Sequence, residues 1–165
     1  MRRGSSDMLT AILHIAMRYI QSAFTGLVFG RLSETEDVIV VTVSDKMLTE
    51  IAVEPGTKLE IKGQFRSYNN YTDTGIRLVL TLFAKEIRLA EPEETLENEV
   101  YLNGYICKPV VYRLTPFGRE ISDILLAVNR AYNKSDYIPC IAWGRNARFA
   151  KNLAVGQNVK IWGRM

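Results

Sequence analysis

The sequence predicts an all-β chain in which one small Greek-key barrel is written twice, the second time without its last strand. Three observations predict it. Apolar and polar residues alternate with a period of two in the strongest segments, as strands with one buried face require. Two stretches share one pattern: "PGTKLEIKGQF" from residue 55 and "VGQNVKIWGRM" from residue 155 set Gly56, Leu59, Ile61, Gly63 and Phe65 against Gly156, Val159, Ile161, Gly163 and Met165. Between the halves lies an acidic stretch with Pro92, "LAEPEETLENE", which breaks the apolar pattern.

Near the N-terminus "LTAILHIAMRYIQ" stands where a first strand belongs and reads as a helix or a strand. His14 and Arg18 end its apolar run too early for a membrane span, and no small-residue cleavage site follows. "VIVVTVSDKMLTEI" (38–51) reads as a strand and one or two helical turns. "KLEIKGQF" reads as a strand in which Gly63 permits a sharp bend or a close approach. "RSYNNYTDTGIRLVLTLFAKEIRLA" then builds a hairpin and a fifth strand, with Asn69, Asn70, Asp73 and Gly75 supplying turn chemistry.

After the break, "NEVYLNGYIC" (98–107) and "REISDILLAVNR" (119–130) read as two strands joined by the turn-rich "KPVVYRLTPFG". "YIPCIAWGRNARFAK" (137–151) gives a third strand and a short helix on which Phe149 packs inward, and the stretch from 155 gives a fourth strand. Four strands with a helix between the third and fourth are the signature of the five-stranded OB-fold. The expected organisation is a degenerate OB-fold unit at 1–90 with an atypical N-terminal segment, an acidic linker at 91–97, and a second OB-fold unit at 98–165, truncated before its fifth strand.

A chain of 165 residues, 47% hydrophobic and 24% charged, has the composition of a soluble globular protein. Its net charge of +3 is unevenly spread: residues 98–165 carry about +6 and the preceding residues about −3, so any field for a polyanion belongs to the second unit. Cys107 and Cys140 are far apart and lack metal-ligand spacing, which excludes a zinc ribbon and reads as two reduced thiols in a cytoplasmic protein. His14 is the single histidine, and no nucleophile with its base and no phosphate-binding loop occurs. The composition therefore describes a binding protein rather than an enzyme, with no cofactor and no metal.

"EVYLNGYICKPVVYRLTPFGREISDILLAVNR" with "DYIPCIAWGRNARFAKNLAVGQNVKIWGRM" carries a first strand ending in Gly, a P-x-G loop, a third strand closing on aromatic-Gly-Arg, and a G-x-x-V-x-I-x-G-R fourth strand. This combination resembles the bacterial single-stranded DNA-binding protein family over nearly all of 98–165. The first unit is similar over about 38–90, above all in "KLEIKGQFRSYNNYTDTG", and has Val43, Ser44 and Asp45 where the aromatic-Gly-Arg step would fall. A degenerate unit before a better one resembles clostridial-type relatives of that family.

The resemblance implies a largely sequence-independent single-stranded DNA-binding protein that protects or organises exposed strands in replication, recombination or repair. It also implies a homo-oligomer, and the family's tail with an acidic tip does not occur in this sequence. Such binding needs aromatic faces for stacking and Lys or Arg for phosphates along one groove. On the third strand Tyr137, Pro139, Ile141 and Trp143 share a face by alternation, and Tyr137, Trp143 and the loop residue Tyr132 match stacking positions of the family. Arg113, Arg119, Arg130, Lys134, Arg145 and Arg148 are the phosphate candidates. Trp162 alternates outward with Lys160 and Arg164, ready for a base or for another protein surface. In the first unit Arg66, Tyr68 and Tyr71 are candidates, the tyrosines substituting for Asn70 at the matched position. The alternative is an OB-fold protein-interaction or assembly module of a primosome-type complex with these aromatics in interfaces, and RNA is a further candidate ligand.

Overall fold

The computed structural model describes residues 10–21, 26–30, 39–51, 53, 57–91, 93 and 98–165, with the side chains of 10–30 and of Asp45 left out. Pro92 and residues 94–97 of the expected linker lie outside the described residues. Contacts divide the chain into two compact units, residues 1–101 with 162–165, and residues 102–161.

In the first unit the strands are β1 (Thr10–Gln21), β2 (Gly26–Gly30), β3 (Val40–Thr42), β4 (Lys58–Thr72) and β5 (Gly75–Leu89), with helix α1 (Asp45–Thr49) after β3. The N-terminal stretch read as helix or strand is a strand. β1 pairs antiparallel with β2 and with β4, β4 with β5, β2 with β3 through Leu27 and Val41, and β3 runs parallel to β5. Among the described residues the pairings close a ring of five strands, with β3 covering only Thr81–Phe83 of β5. The sequence explains the interior: Leu59, Ile61 and Phe65 alternate inward on β4 and meet Val41, Leu82 and Ala84, all buried. At Gly63, where the pairing slips between Lys62 and Gly63, a Cβ would run into the carbonyl oxygen of Phe83, so the close approach expected there is observed.

Two details of that unit differ from expectation. Asn69 and Asn70 lie in β4 opposite Leu78 and Arg77, and the turn is Asp73-Thr74. Gly75 follows it at φ 131°, and the Thr72 hydroxyl donates to the Gly75 carbonyl at 2.9 Å. The hairpin is therefore longer than its Asn residues suggest, because a strand pair tolerates exposed asparagine when the true turn lies farther on.

The C-terminal half contains β6 (Glu99–Ile106), β7 (Val111–Leu114), β8 (Glu120–Asn129), a turn at Ala131–Asn133, β9 (Ser135–Trp143), helix α2 (Arg145–Ala150) and β10 (Asn158–Gly163). β8 pairs along its length with β9, and its other side pairs with β7 over Glu120–Asp123 and with β6 through Leu126 and Ala127. β10 pairs with β6. Strand β7 falls inside "KPVVYRLTPFG", which the sequence reading treated as turn: the P-F-G tip closes a hairpin in which Thr115 N–H donates to the Arg119 carbonyl at 2.8 Å. Leu102, Ile106, Ile124, Leu126, Val128 and Ile138 form the buried interior with Ala147 and Ala150 of α2, and Ile121 is buried on the other face of β8.

Helix α2 presents those two alanines inward and leaves Phe149 69% exposed, which corrects the inward packing expected of Phe149. With only six residues the helix has one inward face, and the small alanines let it lie close enough for Ser122 Oγ to donate to the Ala147 carbonyl at 2.8 Å. Gly104, on β6, is where the second unit needs a glycine: a Cβ there would stand 2.6 Å from the carbonyl oxygen of Ala127. Gly163, matched to Gly63 by the repeat, would meet nothing within 4 Å.

Candidate nucleic-acid interface

The burial of β9 alternates as its sequence does. Asp136 and Ile138 are buried and Cys140 and Ala142 half-buried, while Tyr137, Pro139, Ile141 and Trp143 are exposed on the other face. At 3.3–3.4 Å per residue the row from Tyr137 to Trp143 spans about 20 Å. Trp143, 52% exposed, keeps one flat face for solvent or ligand. Its cross-strand partner is the buried Ile121, and beyond that lies Arg113, so Arg113 stands on the same face.

At the Tyr137 end, the turn before β9 projects Tyr132 into solvent at 94% exposure. Tyr132 and Asn133 both sit in the left-handed region, at φ 62° and 54°, a conformation that side chains with a Cβ rarely adopt. The turn is tied at its base, where Arg130 N–H donates to the Lys134 carbonyl at 2.7 Å. Arg130 Nε lies 2.9 Å from Oδ2 of Asp136, whose side chain is 1% exposed. That Nε makes no hydrogen bond, so the contact is ionic attraction without hydrogen-bond alignment. Arg130 thus serves as the counter-ion of a buried carboxylate at the root of the turn.

The other five basic candidates divide in the same way. Arg113 grips Asp123 through Nε at 2.7 Å and Nη2 at 3.3 Å. This hydrogen-bonded pairing holds the Asp123 carboxyl below its usual range and raises the Arg113 guanidinium, so both stay charged and paired at neutral pH. Arg148 reaches Glu120 at 3.3 Å, where Glu120 also accepts from the Tyr112 hydroxyl at 2.6 Å and Lys151 lies 5.1 Å over the Tyr112 ring. The bond to Glu120 pushes the Tyr112 hydroxyl up. Glu120 and Tyr112 pair with Leu114 and Ser122, so this group sits on the α2 side of the sheet, away from the aromatic row.

Arg119, Lys134 and Arg145 are exposed and make no ion pair among the described residues. They bracket the row. Lys134 follows Tyr132 at one end, while Arg119 and Arg145 come together at the other, where Gly144 N–H donates to the Glu120 carbonyl at 2.9 Å. Lys160 is exposed on β10.

This arrangement, an exposed row of two aromatic and two apolar side chains with cations at both ends, lies within the segment that matches a known family. Residues 97–165 match the model of the Single-strand binding protein family. The C-terminal part of the chain is thus similar to a single-strand binding domain. Among solved structures, the chain is similar to a deletion mutant of the single-stranded DNA-binding protein from Thermus aquaticus, at 21% identity and a TM-score of 0.71 over 94% of this chain and 84% of that one. The wild-type Thermus aquaticus protein is similar at 20% identity and a TM-score of 0.63, over 94% of this chain and 82% of that one. These likenesses extend the fold to the N-terminal half. No curated protein sequence matches the chain.

In the first unit, Trp162 is exposed, and its ring stands 4.4 Å from that of Tyr101 at a tilt of 50°. Tyr68 and Tyr71 are exposed three residues apart on β4, hence on opposite faces, and Arg66 donates through Nη2 to Gln64 Oε1 at 2.7 Å. Arg66 and Tyr68, two residues apart, therefore share a face of β4, and Tyr71 lies on the other.

Within the C-terminal half, Cys140 is the inward neighbour of Ile141, and burial pushes its thiol up to about 12. It is expected to resist iodoacetamide at pH 8 until the chain unfolds, since only the thiolate attacks. Labelling of Cys140 in the folded protein at the rate of a free thiol would contradict this burial.

Tyr105 belongs beside the residues expected to bind. On β6, Tyr101, Asn103 and Tyr105 alternate with the buried Val100, Leu102, Gly104 and Ile106, and Tyr105 is 44% exposed. The alternation in "VYLNGYI" carried that signal.

Proposed function

We propose that this chain binds single-stranded DNA along the outward face of β9 and the two turns that flank it, without sequence preference. The carrying observation is the exposed row Tyr137, Pro139, Ile141 and Trp143 with the unpaired Arg119 and Arg145 at one end and Lys134 beside Tyr132 at the other. Every base has a π-face, so a stacking row accepts any sequence, and the cations hold the backbone that follows it. The chain acts by binding, in the cytoplasm and as a homo-oligomer, to protect or organise strands exposed in replication, recombination or repair.

Arg113, Arg130 and Arg148 serve the fold, since each already faces a carboxylate. Counting Arg119, Lys134, Arg145 and Lys160 as phosphate contacts, the affinity for oligo-dT is expected to fall with a slope of about −3 in log K against log salt, roughly 50-fold between 50 and 200 mM. Affinity unchanged across that range would contradict the reading. Equal affinity for oligo-U would widen the ligand to RNA, because the row contacts base faces common to both.

An assembly role is a second reading for the first unit alone. There the β4–β5 hairpin leaves Tyr71 and its cross-strand partner Ile76 exposed, an apolar pair better suited to a protein surface than to phosphate.

A further inference from the structure

Tyr105 and Tyr137 are both cross-strand partners of the same residue, Ala127 of β8: the registers are Tyr105↔Ala127 and Ala127↔Tyr137. Directly opposed residues share a face, so the two rings rise from the same side with one methyl group between them. Two strand spacings place their backbones about 10 Å apart. Allowing about 1.7 Å for half the thickness of each ring, that leaves about 6.6 Å, the depth of two flat bases stacked at about 3.4 Å. Both tyrosines are about half exposed, and Ala127, the floor between them, is half-buried. A larger residue at 127 would fill the gap, and Gly104 beside Tyr105 is what lets β6 lie tight against the Ala127 carbonyl.

We propose that Tyr105 and Tyr137 are the two walls of a slot, floored by Ala127, that takes two stacked nucleobases between them. The inference rests on the single-stranded DNA reading and adds to it a direction: the strand turns off the β9 row at Tyr137 and crosses β8 toward β6. There the next outward side chains of β6 and of its neighbour β10 include Asn103 and the exposed Lys160. The slot selects for a flat aromatic ring and not for a particular base, because no charged side chain stands between its walls at position 127.

The test uses the full chain and a fluorescein-labelled oligo-dT followed by anisotropy. Tyr105→Leu, which keeps bulk over the sheet and removes the ring, is expected to lose about tenfold in affinity, as is Tyr137→Leu. Because both walls close on the same stacked pair, the double variant is expected to lose clearly less than the hundredfold product of the two. Ala127→Leu, which fills the floor, is expected to weaken binding by a similar factor. Tyr105→Leu binding within twofold of wild type while Trp143→Ala is impaired would overturn the slot and leave the DNA reading intact. Losses that simply multiply would overturn the shared stacked pair, and a fall in oligomer mass with affinity unchanged would make Tyr105 an interface residue instead. Absence of binding by the wild-type chain is a different failure, that of the function itself.

Discussion

Trp143→Ala is expected to weaken oligo-dT binding by about 1–3 kcal/mol, roughly five- to 150-fold, with the fold retained. The size follows from what the side chain does: it is half exposed at the end of β9, over a sheet whose interior is filled from the opposite face by Ile124, Leu126 and Ile138. Removing it takes away a stacking surface and little core. Trp143→Phe is expected to recover most of the loss, since the phenyl ring keeps a π-face. If alanine and phenylalanine bind alike, position 143 does not stack.

Arg130→Ala is expected to destabilise the C-terminal unit by about 3 kcal/mol, because it removes the counter-ion from a carboxylate whose side chain is 1% exposed. The same change is expected to leave the salt slope of binding nearly unaltered. This is the opposite of what a phosphate contact does, since each one removed lowers the slope by about 0.7. Calorimetric melting gives the first quantity and a salt series the second. An unchanged melting temperature together with a shallower slope would return Arg130 to the DNA-contacting role that its position beside Tyr132 suggests in sequence.

The sequence revealed the direction of the side chains on β9 because alternation is a local property. Tyr137 through Trp143 could be assigned a face without knowing any neighbour, and the structure places them on it. The partners of the arginines are a different matter. Arg113 meets Asp123 across the β7–β8 hairpin, and β7 itself was hidden among Pro109, Pro116 and Gly118, so neither strand nor ion pair could be read. Arg148 and Glu120 are brought together by α2 folding back over β8, a long-range contact that no spacing encodes.

Phe149 misled for a related reason. Aromatics are usually buried, but a two-turn helix has room for one inward face, and here two alanines occupy it. Tyr105 was missed although its alternation was visible, because its significance lies in register: only the shared partner Ala127 shows that it faces Tyr137. Asn69 and Asn70 have the composition of a turn and the position of a strand, since the two-residue Asp73-Thr74 connection lies three residues on.

The central claim is that the β9 face stacks on the bases of a single strand, and the tryptophans allow it to be observed directly. The chain has two, so Trp162→Phe leaves Trp143 as the sole reporter. Titrating that variant with oligo-dT at low salt, while an anisotropy label on the oligonucleotide measures binding independently, is expected to quench the Trp143 emission in step with complex formation. High salt is expected to reverse both signals together. Binding seen by anisotropy with Trp143 emission unchanged would show that DNA is held elsewhere on the molecule, and would contradict the account.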